Sequence, residues 1–239
     1  MESINFDNLA KPFNPQNHNS GHFLMPRVPY RLIIVGGSGC GKSNLLFNML
    51  TQWLSYQTLW VFAKDIEEDK YKLLPEFIEE VNAKRLKKDP DAELVELNMS
   101  DDIDDIPDPS TIDATRQHLF VFDDMITEKH QEGISDIFIR GRKRNISTIY
   151  LSHNYSETPR NIRKNAKYLV LFALDNDREV KTMIAKSHGS RLPTDEFMKL
   201  YHHCTDNKHG YLVIDNETDD VDCGGFRCGW DRFYKKGTA

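Results

Sequence analysis

The chain has 239 residues, a formal net charge of −6 at pH 7 and a hydrophobic share of 39%. This length predicts one large domain with extensions, and the composition is typical of a globular protein rather than a mainly disordered one. No apolar run approaches the length of a membrane span, no signal peptide is visible, and the four cysteines predict reduced thiols in a cytosolic or nuclear protein. The acidic balance means that any DNA-binding surface must be a local concentration of basic residues.

Strand-like and helix-like segments alternate along most of the chain. Residues 1–29 are polar and contain four prolines, so we interpret them as an arm before a domain over 30–239. Short apolar runs predict strands at 31–35, 58–64, 118–124, 147–153, 168–174 and 210–215. Helical periodicity predicts helices at 42–53, 73–81, 128–139, 158–167, 177–186 and 194–203. This alternation indicates an α/β fold with a mostly parallel sheet and helices on both faces.

Two segments of the domain do not follow the alternation. Residues 86–117 are charged, and we expect an exposed acidic insertion, with a docking site for a basic partner or a calcium site as the alternatives. Calcium is disfavoured because the Gly and final Glu of an EF-hand loop are missing. Residues 216–239 form a C-terminal segment whose aromatic residues either pack on the domain or dock a partner. The Cys and His residues in and before this segment have loose spacing, which favours free cysteines over a zinc site: His202, His203, Cys204, His209, Cys223 and Cys228.

A phosphate-binding loop follows the first predicted strand. Residues 36–43, GGSGCGKS, match G-x-x-x-x-G-K-[ST] in full, between a strand and a helix. The glycines let successive backbone N–H groups surround phosphate oxygens, and the helix N-terminus adds the positive end of its dipole. Lys42 would contact the β- and γ-phosphates, and Ser43 would ligate Mg²⁺. The predicted nucleotide-binding residues are Gly36, Gly37, Ser38, Gly39, Cys40, Gly41, Lys42, Ser43 and Asn44.

The run FVFDD at 120–124 supplies the second half of such a site. It is an apolar strand that ends in two carboxylates. Asp123 would hold Mg²⁺ through water and Asp124 would act as the general base on the attacking water. The alternative is that both aspartates cap the next helix. The predicted cofactors are therefore ATP and Mg²⁺, and a GTPase is disfavoured because no Asn-Lys-x-Asp motif is present.

Polar residues end the strand at 147–153, and a basic cluster precedes it. Ligands bind at the carboxyl edge of such a sheet, so His153 and Asn154 are placed to sense the γ-phosphate or the attacking water. The basic cluster comprises Arg140, Arg142, Lys143 and Arg144. One of these arginines would act as a finger on the nucleotide of a neighbouring subunit. The alternative is a solvated helix end whose cations favour the helix dipole.

The helix predicted at 158–167 carries a second basic feature. Thr158 suits the N-cap position and Pro159 the first helical position. The spacing i, i+3, i+4, i+7 places four basic residues on one helix face: Arg160, Arg163, Lys164 and Lys167. This face is either a stripe that contacts DNA phosphates or an ordinary solvated surface, and the sequence favours neither.

Four of these segments together carry a family resemblance. GGSGCGKSN, FVFDD, GRKRNIS and YLSHNYSETPRNIRKN resemble the DNA-packaging ATPases of the FtsK–HerA superfamily, and among them the poxvirus-type packaging ATPases of large DNA viruses, virophages and Polinton-like elements. The resemblance runs from about residue 26 to residue 174 or to residue 215, and it implies a P-loop NTPase fold of the RecA and FtsK type. It also implies a homo-oligomeric ring that drives double-stranded DNA into a capsid with a capsid or portal protein as partner, at the assembly site in the host cytoplasm or nucleus.

The resemblance also ranks the candidate residues. The family's arginine before the strand predicted at 147–153 matches Arg142, so the resemblance ranks Arg142 above Arg140 and Arg144 as the arginine finger. At the end of the strand predicted at 147–153, the family commonly carries glutamine as the sensor of the γ-phosphate. This sequence has His153 at that position, so the resemblance implies that His153 or Asn154 takes the role. Asp124 stands where many members of the wider superfamily carry glutamate. Two other functions stay open, a P-loop enzyme for a small substrate such as a nucleotide kinase, and an interaction protein switched by nucleotide.

Overall fold

The computed structural model describes residues 22, 24–125, 131–218 and 225–234. The strands of this part are β1 (Arg31–Val35), β2 (Thr58–Ala63), β3 (Glu96–Ser100), β4 (His118–Asp123), β5 (Ile146–Ser152), β6 (Tyr168–Phe172), β7 (Tyr211–Asp215), β8 (Phe226–Cys228) and β9 (Arg232–Phe233). The helices are α1 (Lys42–Asn48), α2 (Asp69–Lys88), α3 (Glu132–Arg140), α4 (Arg160–Asn165), α5 (Asp177–Glu179), α6 (Ala185–Ser187) and α7 (Thr194–Thr205). A π-helical turn extends α1 to Trp53, and another joins α5 to α6.

The nine described strands form one sheet in the order β3-β2-β4-β5-β1-β6-β7-β8-β9. The first six strands in this order are parallel, whereas β7, β8 and β9 pair antiparallel. The predicted mostly parallel α/β sheet is therefore confirmed. β5 lies between β1 and β4. The segment that follows β5 therefore lies between the segment that follows β1 and the segment that follows β4.

Helices cover both faces of the sheet, as predicted. Alternate residues of β1 point to opposite faces, so Ile33 and Val35 pack in one core while Leu32 and Ile34 pack in the other. The first core also contains apolar residues of α3, α4 and α7, and the second contains those of α1 and α2. Each fully buried aliphatic side chain contributes roughly 1.5–3 kcal/mol to the free energy of folding. Because the strands are anchored in this way, they hold the loops at their ends in place.

Most positions in residues 86–117 are exposed, but the interpretation of the whole segment as an insertion is wrong at the end of α2 and at β3. α2 continues to Lys88, and β3 pairs in parallel with β2 as an edge strand of the sheet. The strand sequence ELNMS lacks a continuous apolar run because an edge strand is only half covered. Ile103 and Ile106, within the acidic stretch, pack against the core.

Several predicted boundaries lie outside the described residues. These are most of the arm over 1–29, the start of the helix predicted at 128, and the parts of the C-terminal segment at 219–224 and 235–239. The described remainder of the C-terminal segment joins the sheet as β8 and β9, and Trp230 and Tyr234 are buried. None of the described helices combines the length and apolar character that a membrane crossing requires.

The prediction of reduced thiols is wrong for two cysteines. Cys204 in α7 and Cys228 in β8 form a disulfide, with 4.8 Å between their Cα atoms. α7 packs on β7 and β8, which brings together two cysteines that are 24 residues apart in the chain. Cys40 is a free thiol, and Cys223 lies outside the described residues.

Candidate nucleotide-binding site

The phosphate loop connects the buried end of β1 to the start of α1. A Cβ atom at Gly36 would lie 2.6 Å from Phe172 Cβ and 2.6 Å from Cys40 Sγ, so only glycine fits there. Gly41, at the helix start, has a φ of 111°, which disfavours other residues. Ser38, Gly39 and Asn44 are exposed along the outer side of the loop. The loop therefore has the tight backbone curve that a phosphate site requires.

Lys42 is buried and curls back into the loop. Its Nζ donates to the carbonyl oxygens of Gly36 at 2.5 Å and Gly37 at 3.0 Å. Burial lowers the pKa of Lys42, while the carboxylates of Asp123 and Asp124 oppose that shift. The ammonium group is thus held at the centre of the loop, within the field of both acids.

Both aspartates stand at the carboxyl end of β4, beside the phosphate loop. Asp123 closes the strand and accepts a hydrogen bond from the Tyr71 hydroxyl at 2.5 Å. Burial raises the pKa of Asp123, and the hydrogen bond from Tyr71 and the charges of Lys70 and Lys42 oppose the rise. Asp124 follows in the left-handed region, with a φ of 56°, so the chain turns sharply away from the strand there.

His153 lies between Lys42 and Asp124. Its Nδ1 is 3.4 Å from Lys42 Nζ, and its Nε2 is 3.8 Å from Asp124 Oδ1. The sheet order explains this contact, because His153 follows β5, which runs between β1 and β4. Asn154 instead uses its carbonyl oxygen to accept from the hydroxyls of Ser152 and Thr158. Of the two predicted sensors, His153 is the one that contacts other predicted site residues.

Oxygen donors suited to magnesium are present at the expected place. Ser43 is half-buried in the first turn of α1, and Asp123 is half-buried at the end of β4. Among the described residues, no group of three or more His, Cys, Asp or Glu side chains could hold a metal by itself. Nucleotide enzymes bind Mg²⁺ through one or two protein oxygens together with phosphate and water, and Ser43 and Asp123 carry oxygens of that kind.

Two contacts to the site carry no local sequence signal. Tyr71 reaches Asp123 from α2, across 52 positions of the chain. His209, in the turn between α7 and β7, places its Nδ1 3.0 Å from the carbonyl oxygen of Cys40 in the phosphate loop. Neither residue belongs to a recognisable motif, so only the folded chain reveals them.

The basic cluster lies at the opposite edge of the sheet. Arg142 belongs to the turn at Gly141–Arg144 that precedes β5, whereas the phosphate loop follows the end of β1. The charge of Arg142 helps to lower the pKa of Arg31, the first residue of β1, after the larger effect of burial. The length of β5 separates this edge from the nucleotide site by roughly 20 Å. Neither Arg142 nor Arg144 therefore reaches the phosphate loop of its own chain.

The predicted basic stripe is only partly formed. α4 begins at Arg160 with Pro159 at the N-cap, so the prediction of Thr158 as N-cap is wrong. Arg163 turns inward: its Nε donates to the carbonyl oxygen of Thr158 at 2.8 Å, and its guanidinium lies over the ring of Tyr155. Lys167 follows the end of the helix. The exposed basic residues of this region are Arg160, Lys164 and Lys167.

Solved structures of viral packaging proteins share this fold. The genome packaging NTPase B204 of Sulfolobus turreted icosahedral virus 2, in complex with AMPPCP, has a TM-score of 0.52 and 14% identity over 90% of this chain and 98% of its own. The DNA-packaging ATPase B204 of Sulfolobus turreted icosahedral virus has a TM-score of 0.53 and 11% identity over 84% of this chain and 97% of its own. At these identities the likeness establishes the fold, which is that of P-loop ATPases.

A family relationship covers most of the chain. No curated protein matches it significantly. Residues 22–224, however, match the family model described as poxvirus A32 protein, and this range includes the phosphate loop, the paired aspartates, His153 and the basic cluster. The chain therefore belongs to the poxvirus A32 protein family.

Proposed function

We propose that the protein is an ATPase that drives double-stranded viral DNA into a preformed capsid. The observation that carries this proposal is the convergence of Lys42, Asp124 and His153 beside a phosphate loop. Membership of the poxvirus A32 family, and the names of the two B204 proteins with the same fold, support DNA packaging as the purpose of hydrolysis.

The arrangement assigns a role to each side chain of the site. Backbone N–H groups of the loop would bind the β- and γ-phosphates, with Lys42 neutralising their charge. Ser43 and Asp123 would hold Mg²⁺, which when bound neutralises charge that develops on the phosphates. Asp124 would accept a proton from the attacking water, and the adjacent His153 would contact the γ-phosphate and report its loss.

The position of Arg142 supports a ring. An arginine at the amino edge of the sheet can stabilise transition-state charge only at the nucleotide of another copy. Copies arranged head to tail would place the amino edge of one subunit against the carboxyl edge of the next, and such heterologous contacts form a ring when the rotation between copies closes. The exposed basic residues Arg160, Lys164 and Lys167 are the proposed DNA contacts, and a capsid or portal protein would anchor the ring at the assembly site.

The proposal is tested by ATP hydrolysis with and without long double-stranded DNA, across a range of salt concentrations. Lys42→Ala is the blank. We expect DNA to stimulate turnover, and the stimulation to weaken with salt because phosphate contacts release counterions. Turnover that is equally fast without DNA would contradict DNA translocation and favour an enzyme for a small substrate. Absence of turnover with retained ATP binding would favour a nucleotide-switched interaction protein.

A further inference from the structure

Tyr71 joins the nucleotide site from an element that no motif marks. It lies in the first turn of α2, where its backbone N–H donates to the carbonyl oxygen of Glu68 at 2.9 Å. Its side chain is buried, and its ring packs against Phe47 of α1 at a centroid distance of 5.5 Å. The hydroxyl therefore has a fixed position between the phosphate-loop helix and the end of β4.

The partner of this hydroxyl distinguishes Tyr71 from an ordinary core tyrosine. Tyr56 is also buried, but its hydroxyl donates to the backbone carbonyl of Leu50 at 2.9 Å. The Tyr71 hydroxyl donates to a carboxylate, Oδ2 of Asp123. Hydrogen bonds with an ionised acceptor are shorter and about twice as strong as neutral ones, so this bond restrains the rotation of the carboxyl group.

The restraint falls on the carboxylate that the proposed mechanism uses to hold magnesium. Tyr71 donates to Oδ2, and the carboxylate keeps further lone pairs, those of Oδ1 among them, that can accept from metal-bound water. We propose that Tyr71 is a positioning residue of the nucleotide site, which fixes the Asp123 carboxylate for its contact with hydrated Mg²⁺; this inference rests on the proposed ATPase function. Partners of this kind, which orient a metal-binding side chain, typically change metal affinity or activity 10- to 100-fold when lost.

The test compares ATP binding in Mg²⁺ with ATP binding in EDTA, measured by isothermal titration calorimetry. Tyr71→Phe removes only the hydroxyl and keeps the ring, and Tyr56→Phe is the matched control. We expect Tyr71→Phe to bind ATP in EDTA with the affinity of the wild type. The increase in ATP affinity that Mg²⁺ causes should be about tenfold smaller than in the wild type. Tyr56→Phe should match the wild type in both conditions. A purely structural role of Tyr71 would instead lower both affinities together.

A double-mutant cycle with Asp123→Asn separates action through Asp123 from action elsewhere. If Tyr71 acts through that carboxylate, Tyr71→Phe has no further effect in the Asp123→Asn background. Additive effects, or an unchanged Mg²⁺ response in Tyr71→Phe, would overturn the inference while leaving the proposed function intact. Failure of the wild type to bind ATP at all would overturn both.

Discussion

The imidazole of His153 faces the ammonium group of Lys42, with 3.4 Å between Nδ1 and Nζ, while its Nε2 approaches Asp124. A side chain in this position would contact both the γ-phosphate and the water that attacks it. We expect His153→Ala to lower kcat about a hundredfold, in the range found when one preorganised donor is removed, with ATP affinity nearly unchanged. Steady-state turnover and equilibrium ATP binding measure the two effects.

The matched variant for this position is His153→Gln. Glutamine keeps an amide that can donate to phosphate or water, and it is the residue that the family resemblance predicts at this position. We therefore expect His153→Gln to retain turnover within about tenfold of the wild type. Wild-type turnover in His153→Ala would show that the histidine is not part of the catalytic arrangement.

Arg142 is expected to act on the nucleotide of a neighbouring copy, because the length of β5 separates it from its own phosphate loop. Arg142→Ala should lower kcat about 10³-fold, as loss of an arginine finger does. Mixing Arg142→Ala with Lys42→Ala should restore measurable turnover, since some interfaces would then combine an intact loop with an intact arginine.

The control for the mixing experiment is Arg140→Ala. Arg140 forms an ion pair with Asp136 at 3.2 Å within α3, so its loss should leave turnover nearly unchanged. If the mixture of Arg142→Ala and Lys42→Ala stays as inactive as its components while both variants still assemble, Arg142 does not act between subunits.

The parts of the site that could be predicted from sequence are those whose chemistry requires given residue types at close spacing. The phosphate loop has its glycines, Lys42 and Ser43 within one turn, and the paired aspartates end a recognisable apolar strand. The sheet then brings Asp124 and His153 together, because both follow central strands whose burial is evident from their composition.

Features that depend on contacts between distant segments could not be predicted. Tyr71 looks like any tyrosine at the start of an amphipathic helix until α2 packs against the end of β4. The edge strand β3 lacks a continuous apolar run because one side of it has no neighbouring strand. Cys204 and Cys228 lie 24 residues apart, and nothing in that spacing specifies a disulfide.

The exposed basic residues of α4 should contribute to DNA binding, and Arg163 should contribute to stability instead. We expect Arg160→Ala/Lys164→Ala to weaken DNA binding and to reduce the slope of log K against log salt by about two, one for each lost phosphate contact. Fluorescence anisotropy on duplex DNA measures both.

Arg163→Ala is the comparison variant for α4. In the wild type, the Arg163 guanidinium donates to the carbonyl oxygen of Thr158 and covers the Tyr155 ring. Its loss in the variant should lower the unfolding free energy by about 1–2 kcal/mol. The salt slope of DNA binding should stay that of the wild type. Equal salt slopes for the double variant and the wild type would exclude α4 as a DNA contact.

The disulfide between Cys204 and Cys228 should stabilise the end of α7, which leads into the turn that carries His209. In the chain-entropy account, closing a loop of this length stabilises the folded state by about 3.5 kcal/mol. We expect Cys204→Ser to lower the unfolding free energy by about that amount, and reductant to destabilise the wild type but not the variant. Peptide mapping without reductant should recover the linked pair. Stability that does not respond to reductant in the wild type would contradict the disulfide.

His188 should make the folded state sensitive to acid. It is buried, Asn216 Nδ2 donates to its Nδ1 at 3.0 Å, and Arg163 and Lys167 lie near it. Burial, reinforced by these two charges, lowers the pKa of His188 to about 4. In the unfolded chain the pKa is near the ordinary value of about 6.5, so between these values the unfolded state binds more protons. Stability should therefore fall by about 3 kcal/mol as the pH drops from 6.5 to 4, and level off below that.

The measurement is urea unfolding at closely spaced pH values for the wild type and His188→Gln. The variant removes the titrating group, so its unfolding free energy should depend less steeply on pH in this window, even if its stability at pH 7 is lower. His203→Gln, at an exposed position in the last turn of α7, is the matched histidine control. Parallel curves for the wild type and His188→Gln would mean that His188 does not stay neutral in the folded protein, and that other groups cause the acid sensitivity.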